Sequence, residues 1–416
     1  MRSIPLLSVA VAIGLASSGT VARGQSRISA GLRVDRVVML MRHGVRPPTK
    51  SPPMPTGTAA NAWPEWPVKP GYLTQHGADA LRRLAAADRA DFVTTGVMPR
   101  QGCARIRMVA DSDQRTIATA DVWGAAVAPG CPVDITHRPQ DVGDPIFSPI
   151  DEKAVAFDAA AARAAVIADA GPGGVAGEEH RLRPVLARLD RILCGSVRKA
   201  CGVAGEPSAL APIKPGSRPK LSGALDRAST VAQILLLEYA DGKPMAEIGW
   251  GRATAADIAQ ASEFHAVEFR LLARPRYVAA ANMAGIGPLV RDALGDASVD
   301  APTITVLSGH DTNVASLAGL LDLHWRVPGL AVDDPSPGGA IMFERLIDPA
   351  GQRYVRAVYR SQTLDQIRGL TTFGSAIKPY RTVMPIATCS ARGIRGLCTM
   401  AAFKALMTAR LVGKQQ

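Results

Sequence analysis

Aromatic residues make up only 5% of this 416-residue chain, and its Lys and Arg residues, although in excess, are scattered rather than gathered into a stripe. Nucleic-acid binding calls for stacking platforms and a continuous basic track, so that class is disfavoured. The net charge of +12 still favours anionic partners, and a small phosphorylated molecule remains open. No C-x2-C pair occurs and no histidines gather beside the cysteines, which argues against a zinc site. No segment approaches the ~20 uninterrupted apolar residues of a membrane span. There is no internal repeat. The 47% apolar and 20% charged content is that of a folded globular protein.

The N-terminus differs from the rest. Arg2 gives it a positive start, Ile4 to Ala16 is apolar, and Ala22 and Gly24 suit a cut near Gln25. This reads as a secretory signal peptide over residues 1–24, followed by a periplasmic or secreted protein. In such a compartment cysteines tend to pair. Six cysteines allow fifteen pairings. Taken in chain order they form three local couples, and we expect Cys103–Cys131, Cys194–Cys201 and Cys389–Cys398.

Val34 to Met41 is a short β-branched-rich run ending at Arg42-His43-Gly44, which reads as a buried strand delivering a loop. Thr303 to Leu307 does the same for Ser308-Gly309-His310-Asp311, ahead of a helical pattern from Asn313 to Leu321. Two such deliveries suggest the crevice of an open α/β sheet, where ligands sit beyond the strand ends. Further strands are expected at Gly339–Leu346 and Arg353–Ser361. Helices are expected at Gly71–Ala90, Arg115–Val127, Ala154–Ala168, Gly223–Tyr239, Thr254–Leu272 and Met400–Leu411, with loops near residues 171–177 and 205–222. The resulting fold is an open mixed sheet flanked by helices. Residues 25–143 and 252–416 form the α/β core, and residues 144–251 form an inserted helix-rich subdomain.

The chemistry concentrates in Arg42-His43-Gly44-Val45-Arg46-Pro47. Neutral imidazole is a good nucleophile towards phosphorus, and guanidinium forks match phosphoryl oxygens in a bidentate way. Gly44 would let the backbone come close, and Pro47 would stiffen the loop exit. At about 5% per fixed position, five matched residues arise by chance in roughly one such chain in ten thousand, so a surface loop with a stray histidine is a poor account. Asp311 alone would read as a helix N-cap. A metal-dependent His-Asp phosphohydrolase would need further ligands at helical spacing, which are missing.

R-H-G-x-R-x-P early in the chain with a distant H-D resembles the histidine acid phosphatases. Gly309-His310-Asp311-Thr312-Asn313, with Ser308 before it and Trp325, Pro328 and Pro337-Gly338-Gly339 after it, is similar to the bacterial periplasmic phytase and glucose-1-phosphatase branch. Trp63-Pro64-Glu65-Trp66-Pro67, Gly71-Tyr72-Leu73-Thr74, Asp144-Pro145-Ile146-Phe147 and Gly249-Trp250-Gly251-Arg252 extend the likeness over nearly the whole mature chain.

The resemblance implies a phosphoglycerate-mutase-like fold and hydrolysis of phosphomonoesters, such as phytate or other inositol phosphates. His43 would become phosphorylated and Asp311 would donate a proton. Arg42, Arg46, His310 and Arg115, the last in the context Asp113-Gln114-Arg115-Thr116, would bind the phosphoryl group. Thr49, Lys50, Asp111, His265 and Thr312 would bind the rest of the substrate. No metal, cofactor, nucleic acid, membrane or obligate protein partner is implied. Thr230 and Gln233 stand where similar phytases carry Met and Glu, which weighs against a strict phytate preference and keeps a glucose-1-phosphatase or broad sugar-phosphate phosphatase in view. A silent phosphate-binding protein is the non-enzyme alternative, and it would have no use for Asp311.

Overall fold

The computed structural model describes residues 31–197 and 201–412, so the expected signal peptide lies outside the described residues. The first half of the chain runs β1 (Arg33–Arg42), α1 (Gln75–Thr95), β2 (Ile106–Ala110), α2 (Gln114–Val127), β3 (Asp134–Thr136) and α3 (Ala159–Asp169). It continues with α4 (Gly174–Cys194), a small ribbon of β4 (Ala209–Leu210) and β5 (Leu221–Ser222), and then α5 (Ala224–Ala240). The second half holds α6 (Ala255–Leu272), α7 (Arg276–Asn282), α8 (Ile286–Gly295), β6 (Ile304–Gly309), α9 (Asp311–Leu321) and β7 (Ala340–Ile347). After these come β8 (Arg353–Ser361), α10 (Leu364–Arg368), β9 (Tyr380–Met384), β10 (Cys398–Thr399) and α11 (Met400–Leu411).

The main sheet has eight strands in the order β10-β8-β7-β1-β6-β2-β3, with β9 also paired to β8. It is mixed: β1, β6, β2 and β3 run parallel, while β7 is antiparallel to β1. Both faces are covered, which is why β1 is apolar without alternation. Val38 and Leu40 face the core shared with α4, α5, α6 and α9, whereas Met39 and Met41 face the core of Phe92 and Trp123 on α1 and α2. The methionines are packing residues.

Element ends follow local chemistry. Thr74 Oγ1 accepts from Gly77 N at 2.9 Å, and Gly71 has φ +79°, so α1 begins at Gln75 rather than at Gly71. Asp158 accepts from the amides of Ala160 and Ala161, which moves the start of α3 from Ala154 to Ala159. Sequence alone gives a loop at 171–177, yet α4 begins inside it. The glycines and Pro184 mask a buried stripe of Leu182, Leu186, Leu189 and Ile192 at helical spacing. The short strands β2, β3 and β9 carry too few residues for a periodic signal. Cys103–Cys131, Cys194–Cys201 and Cys389–Cys398 are bonded in the structure, with Cα–Cα distances of 5.5, 5.8 and 4.8 Å.

Candidate active site

Three neighbouring parallel strands end at one edge of the sheet. Arg42 of β1 lies opposite Gly309 of β6, and Ser308 of β6 lies opposite Ala110 of β2. The segments that follow are therefore brought together: His43, then His310-Asp311, then Asp111 to Arg115. The His43 amide donates to the Gly309 carbonyl at 2.9 Å and its carbonyl accepts from Gly338 N at 3.0 Å, so its backbone is pinned on both sides. Helices α9 and α2 start directly after β6 and β2, and their N-terminal ends bring partial positive charge to the crevice.

His43 is 1% exposed. Its Nδ1 lies 2.8 Å from the Gly44 carbonyl, which only accepts, so Nδ1 carries the proton and Nε2 keeps its lone pair. Arg46 Nε stands 3.4 Å from that Nε2. Burial first, and then Arg46, Arg115, Arg42 and His310, hold the imidazole pKa well below its ordinary value. A lowered pKa favours the neutral ring, the form in which Nε2 can act as a nucleophile. The Gly44 amide donates to Thr119 Oγ1 at 3.1 Å, and a Cβ there would come within 2.7 Å of Leu81 and 2.8 Å of Leu73. Packing against α1 and the segment before it therefore also calls for glycine here.

Arg42 is completely buried. Its Nη2 contacts Gln233 Oε1 and Asp311 Oδ2, both at 3.0 Å, and its Nη1 donates to the Pro335 carbonyl. Burial, with Arg115 next, pushes the Arg46 pKa down to about 9, still charged in acid. Arg115 donates to Asp113 at 2.7 Å and comes within 3.5 Å of His310 Nδ1. His310 is in turn held through Nε2, 2.6 Å from Asp111 Oδ2. Asp111 also accepts from Ser112 N at 2.7 Å, so both of its carboxylate oxygens are engaged.

Asp311 is the first residue of α9, and the N-cap position falls to His310, whose amide donates to Asn313 Oδ1 at 2.9 Å. Burial would raise the Asp311 pKa, but Arg42, His265, His43 and Arg46 outweigh it and hold the carboxyl well below the usual range. A phosphate dianion bound beside Arg42 and Arg46 would offset their charge and favour proton uptake by Asp311.

Asp111, Asp113 and His310 place potential metal-donor atoms within 4.8 Å of one another, the one such group found among the described residues. Arg115 already sets its guanidinium against Asp113, and the set fits a hydrogen-bonded support for His310.

Beyond this pole a cleft of about 520 Å³ opens, lined by Arg46, Thr49, Lys50, Gln233, His265 and Thr312, among others. Thr49 and Lys50 are exposed, whereas His265 is buried with Nδ1 2.6 Å from Asp334. Sequence reasoning did not place Gln233 against Arg42, Asp113 against Arg115, or Asp334 against His265. Asp113 adjoins the arginine it serves and was open to notice, whereas Asp334 has no local signal.

Residues 33–172 match the family model described as "Histidine phosphatase superfamily (branch 2)". Phytase AppA of Escherichia coli is 32% identical over 398 residues, covering 89% of this chain and 90% of that protein. The chain belongs to this family. A glucose-1-phosphatase of Providencia rettgeri is 27% identical over 92% of this chain and 93% of that protein. The solved phytase of Hafnia alvei in complex with tartrate has a TM-score of 0.85 and 32% identity, covering 93% of this chain and 99% of that one. This histidine phosphatase is thus a phosphomonoesterase, and its mixed α/β fold is that of the phytase structures.

Proposed function

We propose that this enzyme hydrolyses phytate and related inositol phosphates through a phosphohistidine on His43. The observation that carries the reading is the His43 ring, with Nδ1 2.8 Å from the Gly44 carbonyl and Nε2 3.4 Å from Arg46 Nε, gathered with Arg115, His310 and Asp311. In the first step Nε2 attacks phosphorus, the ester P–O bond breaks, and Asp311 protonates the leaving alcohol oxygen. In the second step water attacks phosphorus, its proton goes to Asp311, and the N–P bond breaks. Arg42, Arg46, Arg115 and His310 hold the phosphoryl oxygens and offset their charge without a metal ion.

Thr49, Lys50, His265 and Thr312 lie around the rest of the substrate, and Asp111 acts behind His310. The export signal over residues 1–24 supports action in the periplasm or the medium. Residues 144–251 act as a helical insertion on a core made of residues 25–143 and 252–416, and α5 from this insertion forms one wall of the cleft.

One observation favours a sugar monophosphate instead. Asp226 and Glu268 also line the cleft, and Arg227 is paired with Glu206 at 3.2 Å, which leaves Lys50 as the main outer cation. Turnover of phytate, glucose 1-phosphate and p-nitrophenyl phosphate at about pH 4.5 tests both readings. We expect phosphate release that falls about 10,000-fold in His43→Ala, with the ranking of substrates deciding between them. Full activity in His43→Ala would end the proposed mechanism.

A further inference from the structure

His265 is expected to touch substrate, but both of its ring nitrogens face carboxylates. Nδ1 lies 2.6 Å from Asp334 Oδ1, and Nε2 lies 3.9 Å from Asp311 Oδ2. Asp334 is 1% exposed, and its second oxygen has no partner among the described residues. Its backbone carbonyl accepts from the Trp325 indole at 3.2 Å, which fixes the segment against the core. The Phe269 ring, 4.2 Å away between centroids, meets the imidazole edge-on and holds its plane. Three groups thus stand in a row running from a buried carboxylate, through an imidazole, to the carboxyl that acts on the leaving oxygen.

We propose that His265 is a proton carrier for Asp311: held at Nδ1 by Asp334, it passes the proton on Nε2 to Asp311 as Asp311 protonates the leaving oxygen, once binding of the ester closes the 3.9 Å between them to hydrogen-bond distance. The inference rests on the roles proposed above for His43 and Asp311. Asp334 is then a positioning residue that fixes the direction of the ring, and His265, besides lining the cleft, assists the reaction through Asp311.

Protons balance across the cycle. In the first half the Asp311 proton goes to the leaving alkoxide and is replaced from Nε2, which becomes neutral while Nδ1–H stays on Asp334. In the second half the proton of the attacking water returns through Asp311 to Nε2. The charged and titratable groups around His265 fit this traffic. Arg42 sits 3.0 Å from the same Asp311 oxygen and draws the carboxyl towards its ionised form, so a second acidic group is needed to reload it. Glu268 on the same helix accepts from the Ser229 hydroxyl, and burial raises its pKa.

The device matters only for leaving groups that need a proton. A sugar or cyclitol alkoxide does, while p-nitrophenolate leaves as an anion. The test is the ratio of kcat/KM for glycerol 2-phosphate to kcat/KM for p-nitrophenyl phosphate, because kcat/KM reports the first phosphoryl transfer and excludes the shared hydrolysis step.

General acid catalysis is worth about 10²–10⁴-fold, and a group acting one step removed should move the ratio by about 10–100-fold in His265→Asn and by less in Asp334→Asn. Added imidazole should restore part of the ratio in His265→Ala. An equal fall on both esters would overturn the proposal while leaving the phosphohistidine reading intact; a wild type inert on both would overturn the two together. If His265→Asn fails to fold, the near-isosteric Asp334→Asn decides.

Discussion

The inner pole and the outer cleft of this site are built in opposite ways. At the pole, His43 is fixed by two backbone hydrogen bonds to neighbouring segments, Arg42 is fully buried, and His310 is backed by Asp111. In the cleft, Thr49 and Lys50 are exposed on the loop that follows β1, and Thr312 stands half-buried on the first turn of α9. Charges placed by a sheet edge are preorganised for a transition state, whereas charges on mobile side chains contribute mainly to binding. The pole should therefore govern kcat and the cleft should govern KM.

Removing a cation from the pole should have the largest effect. Arg115→Gln is expected to lower kcat about 10²–10³-fold, the loss usual for one preorganised donor. Arg115 is also one of the groups depressing the His43 pKa, so its loss lets His43 protonate at a higher pH. Below that pKa the nucleophile is lost, and the acid limb of the kcat/KM profile should move upward. A pH–rate profile of the variant checks both, and an unmoved limb would break the electrostatic link between the two residues.

Next comes the support behind the pole. Asp111→Asn keeps the shape but weakens the hold on His310 Nε2, and we expect about 10–100-fold loss in kcat with KM changed much less, the size of loss seen for carboxylates that orient metal-bound imidazoles. A rise in KM alone would show that Asp111 belongs with the cleft after all.

The smallest change is expected at the rim. Lys50→Ala should raise KM for phytate about 3–10-fold, equivalent to roughly 1 kcal/mol for an exposed charge, while kcat on p-nitrophenyl phosphate stays put. Steady-state kinetics on the two substrates measures this directly. Equal effects on both would erase the distinction between pole and cleft.

The same division explains how far sequence alone reached. Arg42, His43, Arg46, His310 and Asp311 were legible because strand β1 or β6 forces the residues after it into one place, and short contiguous motifs record that. Strands β1, β6 and β7 were legible from their apolar runs, and β8 from its β-branched and aromatic residues. Helix α4 was hidden by its glycines and Pro184, whose propensities oppose the helix that tertiary burial of Leu182 and Leu186 selects. Gln233, Asp113 and Asp334 act on partners through contacts that no spacing rule records; Asp334 lies 69 positions from His265. Gly44 taught a different lesson, since a glycine in a catalytic loop turned out to serve the packing of Leu73 and Leu81.

With the roles proposed above, the helix starts and the guanidinium cluster at the end of the parallel strands would recognise a tetrahedral oxyanion and nothing else about the molecule that bears it. Free phosphate, once released, meets the same welcome as the ester from which it came. Turnover in a phosphate-rich surrounding is therefore self-limiting by competition at the pole, and tungstate or vanadate, which share that shape and charge, become natural tools for occupying it.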